Sequence, residues 1–218
     1  MSGPLGAAAL VLLAYLIGAI PFGMLAGRLA GGIDLRRHGS QRTGATNALR
    51  TLGLRWAAAV FLLDVGKGVA AVLLARALYV AGPPGSPEWV LAACGVAAVI
   101  GHNWSVFIGF GGGRGVATSA GGLLAISPLT LALVVPLVAL VVWRTRFVSL
   151  GSLVAAIAAP LITAALAATS VVGWAALGYA LATGVLIVVS HGDNVARLRS
   201  GTERRIGERE VVGSDGRG

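Results

Sequence analysis

The sequence predicts an all-α integral membrane protein, a bundle of about seven transmembrane helices, and three observations predict it. The 218 residues are 56% hydrophobic and 11% charged, with a mean hydropathy of +0.86, whereas a soluble domain carries about 25% charged residues. The apolar residues fall into seven runs, at 5–27, 56–80, 88–101, 116–127, 128–143, 147–168 and 171–190. The polar residues that can hold an anion are gathered into three short stretches between those runs, 39–50, 111–118 and 191–197. The length suits one bundle, residues 1–206, with no separate soluble domain. The tail, 207–218, is polar and Gly-rich and is expected to be mobile.

The N-terminal Met1–Gly6 has no basic residue, and the first run continues to Gly27. A cleaved signal peptide has a positive start and a shorter apolar core, so this run reads as a retained helix that begins outside. The second run, 56–80, is long enough to span, since a helix needs about 20 residues to cross hydrocarbon. The third and fourth are shorter, which predicts that they are tilted, half-buried or extended by motif residues. The stretch 116–143 reads either as one long helix or as two divided at Ser127-Pro128, and charge decides between them. Arg28, Arg36, Arg37, Arg42, Arg50 and Arg55 surround the first loop, and Arg197, Arg199, Arg204, Arg205 and Arg209 follow the last run, while 81–88 has no basic residue. Basic loops stay in the cytoplasm. An external N-terminus with a cytoplasmic C-terminus requires an odd number of spans. Division at Pro128 gives seven and also brings Arg144 and Arg146 inside. All five tryptophans, at 56, 89, 104, 143 and 174, lie near run ends, where aromatic belts form. The 33 glycines are ordinary in a bundle whose helices pack closely. The net charge of +9 fits retained basic loops and implies no nucleic-acid partner. Cys94 is the single cysteine; it lies in an apolar run and reads as packing.

The three polar stretches carry the chemistry. In the first, Ser40, Thr43, Thr46 and Asn47 offer hydroxyl and amide donors, Arg50 a fork of donors, and Gly39 and Gly44 allow close backbone approach. A helix starting near Thr43 would turn its free N–H groups and dipole to the same place, with Arg50 about two turns along. The alternative is a capped helix with a solvated arginine. In the second, Gly111-Gly112-Gly113-Arg114-Gly115 before a helical run with Thr118 resembles a phosphate-cradling turn; its spacing is not that of a P-loop, and the alternative is a flexible linker. In the third, His191 and Asn194 stand at i, i+3 on one helical face, and a histidine there can act as acid, base or donor to phosphate. Asp193, Arg197 and Glu203 read as structural pairs. Asp64 and Lys67, also i, i+3, lie inside an apolar run, where charges are costly and paired or functional; they read as an ion pair. His102, in Gly101-His102-Asn103-Trp104, reads as positioning.

Absences narrow the chemistry. Eight acidic residues, none suitably paired in the loops, provide no metal-dependent phosphotransferase site, and no cofactor is implied. The residues five after His38, His102 and His191 are Thr43, Phe107 and Ala196, so an acyltransferase dyad of His followed five later by Asp is missing. No activated nucleophile for a covalent acyl-enzyme is visible.

Together the three motifs resemble the bacterial membrane glycerol-3-phosphate acyltransferases that use acyl phosphate as donor. The resemblance extends over nearly the whole chain, through Ile20-Pro21-Phe22-Gly23, Ile33-Asp34-Leu35-Arg36, Asp64 with Lys67-Gly68, Gly101-His102-Asn103, Arg146-Phe147-Val148-Ser149-Leu150 and Gly201-Thr202-Glu203. The chain departs from the family pattern at Gln41-Arg42, where Gly-Asn is expected, and at Gly111 and Arg114, where lysines are expected. The resemblance implies transfer of a fatty acyl group from acyl phosphate to the 1-hydroxyl of glycerol 3-phosphate, giving 1-acylglycerol 3-phosphate and phosphate. The enzyme would be a multi-pass protein of the bacterial plasma membrane, with its site at the cytoplasmic face and no obligate protein partner. The expected catalytic set is Ser40, Arg50, Arg114, His191 and Asn194. The arginines would hold phosphates, Ser40 would orient a phosphate or the acyl carbonyl, and His191 and Asn194 would position glycerol 3-phosphate. Gly44, Thr46, Asn47, Gly112, Gly113, Gly115, Thr118 and Ser149 are expected to bind substrate. With no Asp-His base, a substrate phosphate is expected to take the hydroxyl proton. The rival reading is an organic-phosphate transporter, which also uses broken helices and Gly-rich anion sites, although no internal repeat is evident.

Overall fold

The computed structural model describes residues 3–79 and 86–207, so most of the 207–218 tail and the centre of the 81–88 loop lie outside the described residues. Within them the chain forms ten α-helices and no sheet: α1 (Gly3–Ala19), α2 (Phe22–Leu29), α3 (Ala45–Thr51), α4 (Leu54–Leu78), α5 (Ser86–Asn103), α6 (Val116–Ile126), α7 (Pro128–Thr145), α8 (Val148–Ala168), α9 (Trp174–Ser190) and α10 (Gly192–Arg199). Counting α1 and α2 together, four segments are long and apolar enough to cross a membrane. The bent pair α9–α10, turned by 60°, makes a fifth. With this composition the protein is a multi-pass membrane protein.

The first apolar run is not one continuous helix. Pro21 has no N–H to continue the ladder, so α1 stops at Ala19 and α2 begins at Phe22. The carbonyl of Ile20, freed by the break, accepts from Phe22 N at 3.1 Å and from Lys67 Nζ at 3.1 Å. The division of 116–143 falls where proline predicts it. Ser127 ends α6, Pro128 opens α7, and the Ser127 hydroxyl lies 2.8 Å from that of Thr130. Proline at the first position of a helix costs no hydrogen bond. The fourth run is short because α6 starts directly after Gly115, so the glycine stretch takes the place of its missing turns.

Glycines set how closely the helices approach. A Cβ on Gly18 would strike the Ala98 carbonyl, one on Gly101 the Tyr15 carbonyl, and one on Gly68 or Gly121 the backbone of the opposite helix, so α1 lies against α5 and α4 against α6 at backbone contact. In lipid, where no hydrophobic force drives one helix onto another, such close packing is what associates them. Small apolar side chains fill the interior, one cluster joining α1, α4 and α5 around Leu10, Ala71, Ala75, Cys94 and Ala98. A second joins α5, α6 and α9 around Ala92, Leu123, Ala175 and Tyr179. Leucine and valine instead cover the outside of the spans, as on Leu137, Leu140, Leu161, Leu181 and Val185.

Candidate active site

The polar stretches meet around one cavity of about 390 Å³. Ser40, Gly44, Thr46, Asn47 and Arg50 reach it from the first loop, Arg114 and Gly115 from the second, Ser149 from α8, and His191 and Asn194 from the third. All five residues expected to be catalytic therefore share one space, although up to 154 positions separate them in sequence (194 − 40).

The first loop is organised by its own side chains. Asp34 accepts from Arg36 N at 2.9 Å and pairs with the Arg36 guanidinium at 2.9 Å, which fixes the turn Leu35–Arg37. Asn47, 1% exposed, holds the rest: its Nδ2 lies within 3.1 Å of the carbonyls of Leu35, His38 and Arg42, and its Oδ1 accepts from Ser40 N at 2.9 Å. The amide counted in the sequence as a substrate donor is thus engaged by the loop itself, and Asn47 is a positioning residue. The helix after the loop begins at Ala45, two residues later than expected, and is seven residues long. It places Arg50 in the cavity wall, where Nη2 is 3.4 Å from the Arg204 carbonyl.

The glycine stretch is divided between two tasks. Gly115, in the left-handed region at φ 77°, opens α6 and lines the cavity together with Val116 and Ala117. Gly112 and Gly113 do not line it. Gly113 N donates to the His102 carbonyl at 3.0 Å, and a Cβ on either residue would strike His102 or Asn103. These two glycines let the loop seat on the end of α5. Thr118 is fully buried in the α4–α6 contact and is likewise outside the cavity wall. Two of the three glycines expected to bind substrate, and Thr118, therefore lie in packing contacts outside the cavity lining.

Arg114 reaches the cavity with 15% of its side chain exposed, and its Nη2 lies 2.7 Å from Asp193 Oδ2. Its Nε is buried with no hydrogen-bond partner. Burial pushes the Asp193 carboxyl up, but Arg114 and Arg197 beside it outweigh that and hold it below the usual carboxylate range. His191 sits at the turn between α9 and α10, with Nδ1 2.8 Å from the Ile187 carbonyl. That contact places the proton on Nδ1 and leaves the Nε2 lone pair as acceptor. Burial lowers its pKa to about 4, so the ring is neutral at neutral pH. Glu203, which lines the cavity, ties the third motif together. It accepts from Asn194 Nδ2 at 2.9 Å, from Ser149 Oγ at 3.0 Å and from Arg197 Nε at 2.9 Å, leaving Asn194 Oδ1 buried and unpartnered. The sequence shows Glu203 only as one half of a structural pair; nothing in its spacing announces three partners. Among the described residues no group of three His, Cys, Asp or Glu side chains is placed to hold a metal ion.

The cavity also has an apolar lining, formed by Leu49, Leu54, Ala57, Ala58 and Phe61 with Val116 and Val148. Leu54 is 74% and Phe61 48% exposed, so this wall runs out along α4 toward the lipid-facing surface. A cationic end and an apolar, laterally open side suit two phosphorylated molecules, one soluble and one greasy.

The family model described as glycerol-3-phosphate acyltransferase matches residues 8–201. The chain belongs to that family. A glycerol-3-phosphate acyltransferase from Geobacter sulfurreducens is 44% identical over 90% of this chain and 95% of its own. One from Thermus thermophilus is 44% identical over 91% and 94%. The solved structure of PlsY (YgiH), an integral membrane glycerol 3-phosphate acyltransferase, in its glycerol 3-phosphate form, superposes with a TM-score of 0.81 at 38% identity, over 92% of this chain and 96% of that one. Its lysophosphatidic acid form gives 0.79 at 36% identity. In this acyltransferase the departures from the family pattern are accommodated locally. Gln41, where glycine was expected, takes a left-handed backbone at φ 57°, and Arg114 keeps the charge of the expected lysine with a planar fork.

Proposed function

We infer that this acyltransferase uses acyl phosphate as donor and makes 1-acylglycerol 3-phosphate. The reading rests above all on one cavity that unites Arg42, Arg50 and Arg114 with an apolar wall open to the side. The 1-hydroxyl oxygen of glycerol 3-phosphate attacks the acyl carbonyl carbon, the bond from that carbon to the phosphate oxygen breaks, and inorganic phosphate leaves. Arg114, beside the N-terminus of α6, holds one phosphate, where helix dipole and guanidinium act on the same anion. Arg50 holds the other. Ser40 orients the donor, and Asn194 Oδ1 and His191 Nε2 accept hydrogen bonds from the glycerol hydroxyls. A histidine whose pKa is about 4 is a poor proton acceptor at pH 7, so the hydroxyl proton passes to the phosphate oxygen that leaves. The acyl chain lies along Leu54, Ala57, Ala58 and Phe61. The protein sits in the bacterial plasma membrane, with seven spans, its N-terminus outside and this cavity at the cytoplasmic face.

The test is an assay of purified protein with acyl phosphate and labelled glycerol 3-phosphate, scored for lysophosphatidic acid. Product is expected with acyl phosphate and little with acyl-CoA at matched concentration, and chelator is expected to leave the rate unchanged. A better rate with acyl-CoA would overturn the assigned leaving group.

A further inference from the structure

Bordering the cavity is a buried group of charges that the reaction above does not use. Asp64 on α4 is 2% exposed, Lys67 4% and His102 on α5 7%. Asp64 Oδ1 is 2.9 Å from Lys67 Nζ and 3.4 Å from His102 Nδ1. Lys67 continues the chain of contacts to the Ile20 carbonyl at the α1–α2 break and lies 5.7 Å over the Phe22 ring. At the other end, the His102 ring occupies the space beside the Gly113 Cα, where any side chain would strike its Nε2, and the His102 carbonyl accepts the Gly113 N–H. Asp64 and His102 both line the cavity. The contacts thus run from the broken helix through Lys67, Asp64 and His102 to Gly113, the residue before Arg114.

An ion pair in such a place is a weak source of stability, because desolvating two charges offsets their attraction, and apolar replacements of equal volume are often neutral or stabilising. Ionisable residues inside a membrane bundle are costly, and those that occur are paired or functional. The contact with Gly113 shows what this group can act on. Resting on the acyltransferase reading, we propose that Asp64, Lys67 and His102 are positioning residues that set the seat of the Gly112–Gly115 loop, and so fix where Arg114 presents its guanidinium. Their effect on the reaction passes through Arg114, whose loop they hold.

Two measurements test this. In the first, hydrogen exchange is followed across residues 111–116 and across the α7–α8 turn, residues 143–149, in the full-length protein and in His102→Ala and Asp64→Asn. Exchange at 111–116 is expected to rise about tenfold or more, as for a segment that has lost its local support, with 143–149 unchanged; the Thr43 amide, which donates to the Gly112 carbonyl at 3.3 Å, is expected to follow 111–116. Unchanged exchange at 111–116, or an equal rise at 143–149, overturns the proposal. The second is a double-mutant cycle on turnover and KM for glycerol 3-phosphate, with Arg114→Ala. If His102 works through Arg114, His102→Ala lowers kcat about tenfold or more in the parent background and less than about twofold once Arg114 is gone, since residues acting in one chain are not additive. Equal losses in both backgrounds overturn it. Should His102→Ala not fold, as judged by its thermal transition in detergent, His102→Asn replaces it. Absence of any product from the unmutated protein would reject the acyltransferase reading, while the exchange experiment would still decide the loop-seating role.

Discussion

Arg114 is the residue whose surroundings make the sharpest demands. Its guanidinium is largely withdrawn from water, held at one nitrogen by Asp193 and left without a partner at Nε. Charge developing on a leaving phosphate would be met there by a preorganised donor. Arg114→Ala is expected to lower kcat about a hundredfold or more, as for loss of an oxyanion donor. Arg114→Lys is expected to restore part of it, because a point charge replaces a fork. Turnover at saturating substrates, after each variant is shown to be folded, gives the answer, and near-native turnover in Arg114→Ala would remove it from the catalytic set. His191 makes the opposite demand, since its role needs a neutral ring. Its folded pKa of about 4 lies below the ordinary histidine value of 6.5, so between those values the unfolded chain binds the extra proton and the folded one does not. Its contribution to stability is full above 6.5 and declines as the pH falls toward 4. NMR of histidine-labelled protein, with His191→Gln to assign the signal, is expected to show the neutral Nδ1–H tautomer at pH 5.5. An imidazolium signal at that pH would refute the acceptor role.

At the scale of elements, the loops show strain and support that composition alone conceals. Gln41 holds φ at 57°, a conformation that costs a side-chain-bearing residue about 1–2 kcal/mol, while glycine gives back about 0.5–1 kcal/mol in lost backbone freedom. Gln41→Gly is expected to stabilise the protein by a net of up to about 1.5 kcal/mol, seen as a raised thermal midpoint in detergent, with turnover kept. A lowered midpoint would mean that the Gln41 side chain supports the loop. The sequence is legible where one dominant force acts. Hydrophobic runs predict α4 through α9 to within a few residues, because burial in lipid selects long apolar helices. Ser127-Pro128 divides α6 from α7, whereas Pro136 and Pro160 stand inside α7 and α8 without ending them, so proline alone does not announce the break at Pro21. Side-chain roles within the loops are less legible. Asn47, Gly113 and Thr118 have the composition of an anion site, yet the Asn47 amide is taken up by hydrogen bonds within its own loop, and Gly113 and Thr118 lie outside the cavity lining. Glu203 gains its three partners only when α8 and α10 meet. Asp64 and His102 lie 38 positions apart, and no local spacing links them.

At the scale of the whole molecule, the shared cavity bears on topology. Arg50, Arg114, Ser149 and His191 all line it, so the loops or helix starts that carry them lie at one end of the bundle. Between the first two run α4 and α5, between the next two α6 and α7, and between the last two α8 and α9. Each interval holds two helices. The proposed seven passages rest on these three pairs with α1–α2 before them, whereas four segments, or five with the bent pair α9–α10, are by themselves long and apolar enough to cross a membrane; α6, 11 residues long, covers only about 16 Å. The same arrangement counts against the transporter rival, whose sites lie near the midplane between paired halves. The proposed placing of the cavity end in the cytoplasm rests on the arginines at 28, 36, 37, 42, 50 and 55 and from 197 onward, since basic loops resist translocation. Single cysteines in a Cys94→Ala background test this in intact cells. A membrane-impermeant thiol reagent is expected to label Ser170→Cys, in the exposed turn between α8 and α9, and Pro84→Cys, which lies outside the described residues. Gln41→Cys, Arg144→Cys and Arg204→Cys are expected to react only after the membrane is opened. Gly112 is buried and makes no useful reporter. Labelling of Arg204→Cys from outside would leave an even number of passages and sink the seven-span arrangement, whereas labelling of Gln41→Cys and Arg204→Cys together would keep the three helix pairs and invert the protein.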